Sequence, residues 1–441
     1  MLCAIVPGRN SWAATAQETV LYNFRLSQTD AYEPSGPLVL ASDGNFYGVS
    51  TIGGPSGGAL FEVTPAGVEA VLYYFNTGVT PNDGVEPVPP LIQANDGNLY
   101  GATFRGGSNT STLGGTIFKI ATNGTYTQLY SFGASSNDGV APISGLVQAA
   151  DSNLYGVTES GGGNNTDSHS NGFGDGTFFR STLGGSYQQL YSFGAFATDG
   201  ALPTKLISAL DGNFYGVTTF GGALGQGTVL KITPAGVETV LHSFGTCGDG
   251  SGPVDLVSAT DGKLYGVTEG GGVFRKGTIF SITPSGDEHV VYEFGSIAND
   301  GANPDALMQA SDGNLYGTTS NGGAYGTNAN FVGDHGTAFM ETLGGDYTLL
   351  YSFGAIANDG QYPRGLTELT SGTFYGVTMA GGTATAGTFY KLVVNSGSGA
   401  VSFSGTPKAC TSSSSGGALG LAFYAPLLIA ALVRTGRQRT A

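Results

Sequence analysis

The sequence predicts an all-β chain folded as a closed seven-bladed β-propeller, and three observations carry that expectation. A phrase built on Tyr-Gly recurs seven times, at Tyr47, Tyr100, Tyr155, Tyr215, Tyr265, Tyr316 and Tyr375. Turn residues divide each repeat into four short strands. The seventh repeat stops after its third strand, and a phrase matching the absent fourth stands near the N-terminus. Composition agrees: 76 Gly, 25 Phe and 22 Tyr among 441 residues describe short strands and dense turns, and 40% hydrophobic content is too much for a disordered chain.

The second full repeat shows the parsing. A first strand is expected around Leu91-Ile92-Gln93, then a tight turn at Asp96-Gly97, where glycine accepts the backbone conformation of a hairpin. Leu99 to Thr103 forms the second strand, and Gly106-Gly107 opens a loop. Gly115 to Ile120 is the third strand, and Asn123-Gly124 turns the chain into Tyr126 to Phe132, the fourth. Elsewhere the third turn reads Thr-Pro-x-Gly, as at Thr64 to Gly67, with proline presetting φ. Repeats of this kind could stand as a linear array or close into a ring. Residues 18–24 match Leu129 to Phe132 and Leu350 to Phe353, so pairing them with 387–394 completes blade seven and removes two exposed sheet edges. The expected organisation is a truncated signal segment at 1–16, the propeller at 17–395, a Ser/Gly-rich linker at 396–417, and an apolar segment with a basic end at 418–441.

Those phrases (D-G-N-L-Y-G-V-T, G-G, G-T-I-F-K-I-T and L-Y-S-F) resemble the tandem repeats of the Gloeobacter/Verrucomicrobia type, over residues 18–394. The resemblance implies an exported surface protein more than an activity. D-G-N-L-Y and I-T-P-x-G also look like phrases of the streptogramin lyases, another seven-bladed group. Here Tyr replaces their usual Trp, and no residues can be matched to their catalytic His and Glu.

The two ends imply export. Ala14-Thr15-Ala16 offers a cleavage pattern behind a short apolar run broken by Pro7, Gly8 and Arg9. At the other end Ser412 to Ser415 precede Gly416-Gly417, then Ala418 to Val433 and the cations Arg434, Arg437 and Arg439. This tail resembles GlyGly-type C-terminal sorting signals processed by rhomboid-like proteases, which implies cleavage near Gly416 and Gly417. A plain membrane anchor is the alternative. The expected partners of the tail are therefore a sorting protease and the membrane, and the expected location is the cell surface, the outer membrane, or the medium after processing.

Charge narrows the partners of the propeller. The formal net charge is −16, and all acidic residues lie between Glu18 and Lys408. Such a surface repels phosphate backbones, which argues against nucleic acid as a partner and is compatible with a divalent cation, a neutral glycan or a basic surface protein. Solubility alone would also account for it. Cys3, Cys247 and Cys410 stand in unlike contexts and imply neither a disulfide framework nor a zinc site.

Two classes of position could carry function. Each crossing between blades bears an aspartate four residues before a proline: Asp30, Asp83, Asp138, Asp199, Asp249, Asp300 and Asp359. Sevenfold recurrence makes these structural, accepting turn N–H groups two residues on. Calcium is the one cofactor they leave open, although no EF-hand or nonapeptide pattern surrounds them. The second class lies in two insertions, 161–175 and 321–335, on the face that also carries the crossings. Their candidate ligand-binding residues are Asp167, His169, Phe173, Asp175, Tyr325, Phe331, Asp334 and His335. A ligand held in one orientation needs residues that break the repetition. Aromatic faces among amides and carboxylates suit a neutral glycan. His242 and His289 fall in fourth strands, where packing accounts for them. No H-E-x-x-H helix or phosphate loop occurs, and no catalytic residue is assigned. The expected function is a noncatalytic binding or interaction module, with an enzyme acting on a glycan or lactone as the alternative.

Overall fold

Seven antiparallel sheets succeed one another along the chain, and the first strand of the sequence completes the last of them. The computed structural model describes residues 16–395 except 26, 28, 54–56, 79, 110–113, 166–172, 247 and 326–334. Blade four is representative, with strands Gly200–Ser208, Phe214–Gly221, Thr228–Ile232 and Glu238–Ser243 in that spatial order. In blades one, three and seven the first strand is split in two. Blade seven closes as Thr373–Gly381, Thr388–Val394 and Ala16–Asn23, with Glu18 opposite Leu392 and Val20 opposite Tyr390. The first strands line the inside of the ring, where Gly36 lies against Pro89 and Gly145 against the Pro90 carbonyl.

The recurrent phrases each have a mechanical task. In D-G-N-L-Y the aspartate accepts the N–H two residues on, as Asp96 does from Asn98 at 3.1 Å, and also accepts the tyrosine hydroxyl. That hydroxyl bond is 2.6–2.9 Å in six blades; blade seven has Ser371 in place of the aspartate. The phenylalanine of L-Y-S-F is buried in every blade. At six junctions it meets the third-strand ring of the next blade at 5.1–5.3 Å, as in Phe75 on Phe118 and Phe132 on Phe179, whereas Phe193 packs with Leu230. Each such ring contributes roughly 1.5–3 kcal/mol by burial. The core is therefore a series of wedges between blades rather than one central mass.

The first strand is longer than the phrase around Leu91 implied, running Val85–Gln93 and taking in the repeated proline. The residue before that proline turns into the left-handed region in all seven blades, at φ 54–59°, and only Gly252 is glycine. The conformation costs a side-chain-bearing residue on the order of 1 kcal/mol. It also aims the N–H across the blade boundary, where it donates to the preceding blade: Glu86 to Gly57 at 2.9 Å, Leu202 to Asp175 at 3.0 Å, Tyr362 to His335 at 3.0 Å. Repeated around the ring, this bond stitches each blade to the one before it.

Six crossing aspartates are followed by glycine and Asp30 by Ala31, for a steric reason. A methyl at Gly200 would lie 2.5 Å from Thr218 Cγ2 and 2.8 Å from Thr228 Oγ1. Thr218 and Thr228 form a buried hydroxyl pair at 2.8 Å, and the pair recurs in blades two to seven. Blade one alone has Ser50 and Ala59 there, and it alone has room for Ala31.

Candidate functional site

All seven crossing aspartates are buried, and their donors differ from those that a forward turn would supply. Asp300 accepts N–H groups from Gly295 at 2.6 Å and Ser296 at 3.1 Å, which precede it, and from Gly301 at 2.9 Å, which follows. It closes the crossing backward onto the end of the previous strand. The tyrosine of the preceding L-Y-S-F adds its hydroxyl at 2.7–2.8 Å in six junctions: Tyr22 to Asp30, Tyr73 to Asp83, Tyr130 to Asp138, Tyr191 to Asp199, Tyr292 to Asp300 and Tyr351 to Asp359. His242 takes the tyrosine's place beside Asp249, with Nε2 3.2 Å from Oδ2.

A third side chain reaches each junction from the next blade's fourth strand. At three it is a tyrosine stacked on the first, as Tyr347 is on Tyr292 with centroids 3.7 Å apart. At the other four it is Glu18, Glu69, Glu238 or Glu288. Burial, reinforced by the facing aspartate, pushes Glu18, Glu69 and Glu238 up to about 8 and Glu288 up to about 7. In His242 burial opposes the charged form, but the hydrogen bond to Asp249 and the charges of Asp249 and Glu288 prevail and raise the pKa.

The insertion residues divide into two separate places. Asp175 and His335 hold the same station in blades three and six, each giving its carbonyl to the next blade through Leu202 and Tyr362. Asp175 is buried, whereas Phe173 is exposed. Tyr325, also exposed, comes together with His335 against Gly354, beside a shallow hollow of about 300 Å³ lined by Ala324, Leu350, Tyr351 and Ser352. The bases of the loops between second and third strands are tied to the outer strands, as Asn164 Nδ2 is to the Ser192 carbonyl at 3.0 Å. Asp167, His169, Phe331, Asp334, Gly416 and Gly417 lie outside the described residues.

Sequence reasoning passed over a charged group on the inner strands. Lys205 Nζ lies 2.7 Å from Asp255 Oδ1, and Asp255 Oδ2 accepts the Leu307 N–H at 2.9 Å. Arg364 Nη1 lies 3.2 Å from Asp305 Oδ2, and Asp305 also accepts hydroxyls from Thr318 at 2.6 Å and Ser320 at 3.1 Å. Nearby, burial raises the pKa of Glu269 against the opposing charge of Arg364; in blade three, burial raises that of Glu159 against the charge of Arg105 from blade two. The corresponding positions just after the repeated proline in blades one to three are Gly36, Pro37, Pro89, Pro90 and Gly145, so this group of charges is confined to blades four to seven. Aligning the residues just after each repeated proline would have revealed it, because charge appears there only in blades four to seven. Chemically the group offers fixed donors and acceptors, since its cations and carboxylates are already paired.

Comparison with known proteins places the architecture. The model of the Gloeobacter/Verrucomicrobia repeat matches residues 11–207 and 166–331. No curated protein matches the chain. Virginiamycin B lyase from Staphylococcus aureus superposes with a TM-score of 0.56 at 14% identity, over 86% of this chain and 99% of that one. The extracellular domain of a hybrid two component system from B. thetaiotaomicron gives 0.54 at 13% identity, over 90% of this chain and 44% of that one. At these identities the likeness is one of fold alone.

Proposed function

The chain belongs to the Gloeobacter/Verrucomicrobia repeat family, and on that footing we propose that it is an exported, surface-held propeller that binds an extended neutral glycan without turning it over. The observation that carries this reading is the charged interior of blades four to seven. Lys205, Asp255, Asp305 and Arg364 are held by one another, so they present an ordered hydrogen-bonding array suited to sugar hydroxyls. Exposed Phe173 and Tyr325 supply faces for stacking. Blades three and six stand three places apart in a ring of seven, so a ligand touching both insertions is a chain rather than a small molecule. Export rests on the cleavage pattern at 14–16 and the sorting-type tail around Gly416-Gly417. A like fold in an extracellular domain is consistent with it.

The alternative, a propeller lyase or hydrolase, draws on Glu159 and Glu269, two carboxyls whose pKa is raised by burial, the direction that a general acid requires. A panel of neutral polysaccharides, screened first for retention and then for shortened products, separates the two. Retention without products, weakened at least about tenfold by Arg364→Gln with melting unchanged, supports binding through the loss of a charge-assisted donor. No retention anywhere in the panel overturns it. Products that vanish with Glu159→Gln or Glu269→Gln identify an enzyme instead.

A further inference from the structure

The junction between blades four and five departs from the other six, and the departure has the chemistry of a metal site. His242 ends the outer strand of blade four, Asp249 sits on the crossing, and Glu288 begins the outer strand of blade five. One ligand atom from each lies within 4.8 Å of the other two. The remaining junctions have a tyrosine at the station of His242, and its hydroxyl donates a hydrogen bond to the aspartate. Imidazole instead offers a nitrogen lone pair, which makes this the one junction of seven with three ligand-type side chains among the described residues.

Two further observations point the same way. Asp249 Oδ2 is held loosely: His242 lies at 3.2 Å, the Gly245 N–H at 3.3 Å and the Thr246 hydroxyl at 3.4 Å. The matching oxygen of Asp359 is gripped at 2.8, 2.7 and 3.0 Å by Tyr351, Gly354 and Ala355. Glu288 Oε1, moreover, is buried and accepts no hydrogen bond among the described residues. An oxygen in that state costs free energy unless something positive meets it.

We propose that His242, Asp249 and Glu288 bind a divalent transition-metal cation of the zinc class, joining the outer strands of blades four and five. One imidazole and two carboxylates are a common donor set for such ions, with the remaining position open to water. Calcium and magnesium fit less well, since both favour oxygen-only shells. Because the ligands come from two blades, the ion binds the closed junction and stabilises it.

The test uses the full chain stripped with a chelator and titrated with Zn²⁺. About one ion should bind per chain, and the melting temperature should rise and fall back on adding chelator. His242→Tyr restores the residue of the other six junctions, so it should fold as well as the stripped wild type and lose the zinc-dependent rise. Tyr191→His, beside Asp199 and Glu238, should add a second site of the same kind. His289→Ala, at an exposed neighbour, should leave the response intact. The proposal is overturned if the wild type shows no response, if His242→Tyr keeps it, or if His289→Ala abolishes it.

Discussion

Glu341 is fully buried at the end of the third strand of blade six, where blades two, four and five place Ile120, Ile232 and Ile282. Neither carboxyl oxygen has a hydrogen-bond partner among the described residues. Burial, with a smaller contribution from the charge of Asp346, pushes its pKa from 4.5 up to about 8. The folded chain therefore keeps a proton there that the unfolded chain releases above about pH 4.5. The sign follows: the raised group favours folding fully below that value, and the benefit is lost as pH rises through about 8. At about 1.36 kcal/mol per pH unit, the loss is about 1 kcal/mol by pH 5 and about 3 kcal/mol by pH 7. Glu341→Ile removes the proton linkage and installs the residue of blades two, four and five. Urea unfolding at pH 5 and pH 7 should show the variant more stable at both, with the gap widening by about 2 kcal/mol between them. An equal gap at the two pH values, or a variant weaker than the wild type at pH 7, refutes the reasoning. Glu18, Glu69, Glu238 and Glu288 act in the same direction, so the wild type itself should melt higher at pH 5 than at pH 8.

Three other outcomes are expected. Gly200→Ala should cost about 2 kcal/mol through overlap with Thr218 and Thr228, and most of that should return when Thr218→Ser and Thr228→Ala are added; a double-mutant cycle on melting reads the coupling. Asp300→Ala orphans the hydroxyls of Tyr292 and Tyr347 and three N–H groups, so a loss of at least about 3 kcal/mol should appear in urea unfolding, with Asp300→Asn milder. Removing residues 16–23 should expose the edges left by Thr388–Val394 and lower the melting temperature more than Asp300→Asn does; unchanged melting would mean that the ring does not depend on its closure.

Much of this architecture is legible because the same physical problem is solved seven times. Tyr-Gly after an Asp-Gly turn, the buried Phe of L-Y-S-F and the split seventh blade each mark a strand or a junction through spacing alone. What escapes a reading of the sequence is the meaning of differences between copies. Ala31 among six glycines looks like drift, yet it fills the space released by Ser50 and Ala59, which are distant in sequence and adjacent only across the sheet. Turn chemistry points the crossing aspartates to N–H groups two residues on, whereas their donors are the next residue, residues behind and the neighbouring blade, a choice that only packing decides. The inner charges are invisible for a related reason. Lys205 and Asp255, or Asp305 and Arg364, sit about one repeat apart, and only the curvature of the ring makes them partners.

The pairing of Ala16–Asn23 with Thr388–Val394 gives the chain a temporal order. The strand that leaves the ribosome before the rest of the ring has to wait for the one made after all the others, and until then blade seven offers bare edges at two places. Blades one to six can each zip locally, from consecutive strands, while the ring as a whole cannot lock. The final clasp forms only once every other blade has been synthesised.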